Sequence, residues 1–259
     1  MSSTKAKGFV IHFTARSGST FIIFTLRKHP QLVTRAEVFG NKALPGGLEQ
    51  TADNQIAFLR KYWRSYRRDA PIPTDIARGF KVQILRAEPQ LKAVGRFIKV
   101  CGDYDVARFF LYRRNRVKQI ISALRAREVK RVSSGLGGIE TAHVYDEKLA
   151  GEVRQLPKMP VNPVQLQVML ESLEQNYRLL DNIRGKTPGA IELVYEDVLS
   201  DRQAFFDRIF AAIGVASIDV TDNDETKKIT SDNLQDVILN YDEVLDYFSG
   251  TEYAPQLAE

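Results

Sequence analysis

Residues Gly8 to Leu26, GFVIHFTARSGSTFIIFTL, constrain this chain more than any other stretch. Gly8 to Phe13 are apolar or β-favouring and read as a buried strand. A polar turn follows, Thr14-Ala15-Arg16-Ser17-Gly18-Ser19-Thr20, and an apolar run then reads as a helix from about Ser19 to His29. A strand entering a helix through such a turn gathers backbone N–H groups and the positive end of the helix dipole at one point, which suits an anion. Arg16 adds a planar cationic donor there, and Ser17, Ser19 and Thr20 add hydroxyls. The bland alternative is a polar turn in which Ser17 only caps the helix.

Absent motifs narrow the anion. An ATP or GTP loop needs G-x-x-x-x-G-K-[ST], and the turn holds no lysine. A dinucleotide fingerprint needs G-x-G-x-x-G, and only Gly18 is present. The pattern T-x-R-S-G-S-T after the first strand instead resembles the 5′-phosphosulfate loop of sulfotransferases. It is most similar to the carbohydrate and bacterial glycolipid branch, where Arg replaces the Lys of the phenol and steroid enzymes. A second window carries the same resemblance. Val106 to Tyr112 reads as a strand running into Arg113-Arg114-Asn115-Arg116, and Ser122 lies eight residues after Arg114. This matches the family's R-N-x-x-x-x-x-x-S, except that Arg116 stands where the wider family often has proline. Without the family, 113–131 could be a basic exposed helix.

The resemblance covers most of the chain, and its specific motifs sit in 14–20 and 113–122. It implies an α/β fold of the P-loop-NTPase-like, three-layer kind, a central parallel sheet flanked by helices. It implies a donor, 3′-phosphoadenosine 5′-phosphosulfate (PAPS), a product, 3′-phosphoadenosine 5′-phosphate (PAP), and no metal. Arg16, Ser17, Gly18, Ser19 and Thr20 would hold the 5′-phosphate, and Arg114 and Ser122 the 3′-phosphate. Glu37 falls where the bacterial enzymes carry a general base in an E-x-F setting; on its own it also reads as a solvated loop carboxylate. Lys81, in Gly79-Phe80-Lys81, would face the sulfuryl group, or is a snorkelling surface lysine. His143 is an alternative base. Lys227 and Lys228 fall in a stretch that closes over the 3′-phosphate in related enzymes.

The remaining chain fits one domain, 1–259, with strands at Ala77–Val82 and Ala190–Val194 and helices over Asp53–Arg68, Asn162–Arg184 and Asp201–Ile213. A further helix carries Leu234, Val237, Ile238, Tyr241, Leu245 and Phe248 on one side. About 131–162 is glycine-rich, then proline-punctuated, and is expected to be a flexible acceptor-binding loop or lid. One cysteine, Cys101, excludes an internal disulfide and suits a cytoplasmic protein. No long apolar run or signal sequence is expected. The net charge of +5 favours anionic partners. The acceptor is expected to be a small molecule (a specialised metabolite, for instance), sugar or glycolipid, with no nucleic acid and at most peripheral membrane contact. Two rivals stay open: an ATP-dependent phosphotransferase on the same fold, and a basic nucleic-acid or membrane-surface binder built on 60–68 and 113–131.

Overall fold

The structure, a computed structural model, describes residues 8–64, 76–134, 156–221, 231 and 233–258. Contacts within it group into two compact units, Met1–Tyr112 with Gln175–Asn223, and Arg113–Glu174 with Asp224–Glu259.

The first unit is built on a five-stranded parallel sheet of order β2-β3-β1-β4-β5, with β1 Phe9–Phe13, β2 Leu32–Glu37, β3 Ala77–Gln83, β4 Ala107–Tyr112 and β5 Ala190–Val194. β1 is central and buried at every position, so it reads as an unbroken apolar run, as strands covered on both faces do. Alternation splits its side chains between two layers. Phe9, Ile11 and Phe13 join Phe109 and Leu111 of β4 in a core with Ile22, Ile23 and Leu26 of α1 (Ser19–Arg27) and Phe206, Ile209 and Phe210 of α7 (Arg202–Ile213). Each of those aliphatic side chains contributes about 1.5–3 kcal/mol on burial. On the other face His12 stacks on Phe110 and meets Phe97 of α3 (Val94–Asp103) edge-on, and Phe80 stacks on Trp63 of α2 (Ala52–Arg64). His12 Nδ1 lies 3.1 Å from the Phe109 carbonyl and therefore donates to it, and burial pushes the ring's pKa down to about 4. The α/β class with helices on a parallel sheet is as the sequence indicates. Helix α6 (Tyr195–Ser200) follows β5 directly.

The second unit holds α4 (Arg116–Ser134), the first half of α5 (Pro163–Gly185), a 3-10 turn Leu234–Asp236, α8 (Tyr241–Tyr247) and α9 (Ala254–Ala258). Residues Met159 and Ile238 form a parallel bridge, and Arg125 donates to the carbonyls of Leu156 and Pro157 at 2.7 Å each.

Several sequence expectations shift. α4 runs to Ser134, so the first residues of the expected lid, 131–134, are helical; 135–155 lie outside the described residues, and Met159–Val161 is pinned by backbone and Asn240 side-chain bonds. The last amphipathic segment is not one helix: a 3-10 turn ends at Asp236, Ile238 pairs with Met159 in a bridge, and α8 starts only after Asn240. α3 and α9 carry no sequence expectation; the sequence suggests a short extended segment at Leu32–Thr34, which β2 continues to Glu37 as an edge strand. Of the basic, aromatic stretch, Tyr62 and Trp63 are buried against Phe80, while residues 65–75 lie outside the described residues. Among the described residues, no helix is long and apolar enough to cross a membrane, and no group of three or more metal-ligating side chains gathers.

Candidate functional site

The site grows from the carboxyl end of β1, where open parallel sheets present their ligand-binding loops. The turn Thr14–Gly18 closes with the Ser17 amide donating to the Thr14 carbonyl at 3.3 Å. Arg16 and Gly18 both adopt the left-handed region, at φ 61° and 89°. A non-glycine residue there is strained, and such strain concentrates at functional sites. Gly18 cannot be replaced without cost: a Cβ would fall 2.1 Å from the Tyr195 ring, which packs over the turn.

The turn hands the chain to α1 in an unusual way. Gly18 is the N-cap, and no side chain caps the helix. Ser17 does not fill the role that the bland reading gives it. Its hydroxyl is fully buried and has no hydrogen-bond partner among the described residues. A buried unpaired hydroxyl costs about 1–3 kcal/mol unless something completes it. A phosphate oxygen at the positive end of α1 is the kind of acceptor that would complete it.

Lys81 comes to the same place from β3. Its Nζ donates to Thr20 Oγ1 at 2.9 Å and to Ser19 Oγ at 3.4 Å, and sits 4.9 Å above the Phe13 ring. The side chain is buried, which excludes the snorkelling surface lysine. Burial pushes its pKa below the usual lysine range; Glu37 opposes that shift and the nearby Arg16 charge adds to it. The Arg16 and Lys81 charges are thus near enough to influence one another.

Glu37 arrives through an irregularity in the sheet. β2 and β3 pair regularly up to Arg35 opposite Phe80, then the register slips by one so that Glu37, not Ala36, stands opposite Lys81. An extra residue of this bulge type re-aims a side chain. Glu37 Oε1 lies 3.5 Å from Lys81 Nζ, and Oε2 accepts from Gln90 Nε2 at 3.1 Å. The carboxylate remains 31% exposed, so an incoming group can reach it.

Arg16, Ser17, Gly18, Ser19, Thr20, Glu37 and Lys81 therefore belong to one cluster in the first unit. Arg114 and Ser122 lie in the second unit. Helix α4 starts only at Arg116, so Arg114 is exposed in the preceding loop, while Ser122 is half-buried within the helix. The eight-residue spacing does not place them on one helix face. His143, Lys227 and Lys228 lie outside the described residues. Gln90 and Gln55 are contributors that sequence reasoning misses: Gln90 lies in a loop with no periodicity, and Gln55 is a polar residue within α2 whose buried partners the sequence does not signal.

No protein-family model matches the sequence, and no curated protein matches it significantly. Among solved structures, the chain is similar to a sulfotransferase from Alicyclobacillus acidocaldarius, with 14% identity, 98% of this chain and 93% of that one covered, and a TM-score of 0.48. The sulfotransferase domain from the curacin biosynthetic pathway gives 14% identity, coverages of 98% and 84%, and a TM-score of 0.45. Mouse sulfotransferase SULT7A1, solved with PAP, gives 10% identity, coverages of 98% and 89%, and a TM-score of 0.45. At such low identity and overlap the chemistry has to be read from the site's own residues.

Proposed function

We propose that the protein is a PAPS-dependent sulfotransferase acting on a hydroxyl, or an amine, of a small-molecule, sugar or glycolipid acceptor. The observation that carries this reading is the contact of Lys81 Nζ with Thr20 and Ser19 on one side and Glu37 on the other. It joins an anion cradle to a carboxylate within one cluster. The resemblance of the 14–20 and 113–122 windows supplies the identity of the anion.

The donor supplies an electrophilic sulfonate whose leaving group is a phosphate oxygen. Sulfonate transfer then demands positioning and charge stabilisation more than covalent participation by the protein. Arg16, the Ser17 hydroxyl and the amides at the start of α1 hold the 5′-phosphate. Lys81 stabilises negative charge growing on the departing oxygen, and its buried setting strengthens that effect. Glu37 accepts the proton of the attacking acceptor. Arg114 and Ser122 recognise the 3′-phosphate, which separates this donor from ATP.

The test is incubation with PAPS and a panel of 4-nitrophenol, octyl glucoside, trehalose and tyramine, scored by mass gain of one sulfonate. ATP with Mg²⁺ on the same panel addresses the phosphotransferase rival. Glu37→Gln is expected to cut transfer to a small residual rate while leaving PAP binding by calorimetry nearly intact. Wild-type turnover in that variant would move the base elsewhere; phosphate gain from ATP would overturn the sulfonate reading.

A further inference from the structure

Gln90 is an amide with a fixed orientation. Its Oε1 lies 2.9 Å from the backbone nitrogen of Gln83, the last residue of β3. A backbone N–H can only donate, so the oxygen faces Gln83 and the –NH₂ faces Glu37 Oε2 at 3.1 Å. The contact with Glu37 is therefore a donation to a carboxylate, the stronger kind of hydrogen bond.

The loop between β3 and α3 has no regular structure to hold Gln90 in place, and buried glutamine chemistry does it instead. The Gln90 carbonyl accepts from Gln55 Nε2 at 2.6 Å. Gln55 is only 3% exposed, and its own Oε1 takes the Lys92 N–H at 3.0 Å. Gly40 leaves the Glu37–Gln90 contact its space. A Cβ there would lie 3.1 Å from both Gln90 Nε2 and Glu37 Oε2, tighter than ordinary packing.

The terminal torsion of a glutamate is broad, so one contact does not orient its carboxylate. Lys81 holds Oε1 and Gln90 holds Oε2. We propose that Gln90 is a positioning residue, which sets the plane of the Glu37 carboxylate toward the acceptor through the Gln55–Gln90–Glu37 chain. This rests on Glu37 being the base. A displacement of about 1 Å at such a group costs on the order of 10²-fold in rate.

The plain alternative is that Gln90 merely anchors its loop to β3. Gln90→Glu separates the two, because it keeps an acceptor for the Gln83 N–H and replaces the donor facing Glu37 by a repelling oxygen. With the fastest panel acceptor, kcat is expected to fall about 10–100-fold, with the KM for PAPS and the PAP affinity unchanged. A second arm, Gly40→Ala, presses on the same contact without altering Gln90 and is expected to lower kcat several-fold, again at constant PAPS KM. A third arm compares Gln90→Glu in the Glu37→Gln background, where an amide now faces the new carboxylate. There the residual rate is expected to show no further loss, the non-additivity of two groups acting through one contact. If Gln90→Glu and Gly40→Ala both keep kcat within twofold of wild type, or the losses in the cycle simply add, the positioning role is overturned while the base reading stands. If Glu37→Gln itself turns over normally, the base reading falls and takes this proposal with it.

Discussion

Two helices follow strands of the central sheet in sequence, and their N-termini are finished in opposite ways. α4 begins with its donors taken: Asn115 Oδ1 accepts the Lys118 amide at 2.7 Å, and Gln256 Oε1 accepts those of Arg116 and Val117 at 2.6 and 3.4 Å. α1 begins on a left-handed glycine with no side-chain cap, beside a buried Ser17 hydroxyl that has no partner among the described residues. A capped terminus has already spent its affinity for an anion on the protein's own oxygens. The difference teaches that the two arginine-bearing windows cannot bind phosphate in the same manner. On the proposed reading, the backbone takes part at Thr14–Thr20. At Arg113–Ser122 only side chains remain to do it, and the motif match there says nothing about the helix dipole.

The largest test of that contrast is Arg16→Ala. Removing an oxyanion donor costs on the order of 10²–10³ in rate, so turnover in the sulfonate assay is expected to fall by that much. Wild-type turnover would leave the α1 terminus as an ordinary turn and erase the contrast. Next is Lys81→Met, expected to lower turnover about 10²-fold while leaving urea stability equal or higher, because a buried ammonium costs several kcal/mol in desolvation. The pH dependence has a definite sign. With its folded pKa below the usual 10.5, Lys81 binds fewer protons folded than unfolded in the window between them. Stability therefore gains as pH rises through that window, and the methionine variant is expected to lack that gain in a urea-midpoint series. Equal slopes would show that Lys81 is not paying a burial cost. The smallest effect belongs to the capped helix. Gln256→Ala should lower stability by about 1 kcal/mol in denaturant melts and leave PAP affinity within twofold. A large loss of PAP binding would make α4's terminus part of the anion site after all.

What could be read in advance follows from the range of each signal. β1, β4 and β5 announce themselves as short, mostly apolar runs, and the cradle is contiguous, so Arg16 to Thr20 are legible from neighbouring letters. Lys81 is legible only through its G-F-K setting, since β-strand alternation does not say that its neighbour across the sheet is Glu37. That pairing depends on the slip after Arg35, a property of how two strands meet and not of either strand's composition. Gln90 and Gln55 lie 53 and 18 residues from Glu37, one in an unpatterned loop and one within α2, and their roles exist only in three dimensions. The start of α8 after Asn240 is hidden for a related reason: the apolar periodicity runs unbroken across a residue whose side chain serves the Val161 backbone instead.

The slip between Arg35 and Glu37 makes the site a matter of counting. Ala36 contributes no chemistry, yet it is the extra residue skipped between the Arg35–Phe80 and Glu37–Lys81 pairs, and its presence is what makes the ladder irregular there. Every functional residue type, and every short motif in which it sits, would survive the loss of that alanine, and the glutamate would still stand opposite Lys81, but in a regular ladder without the irregularity that re-aims its side chain. An insertion or deletion at one silent position therefore changes how the carboxylate is aimed while leaving the conspicuous residues on either side untouched.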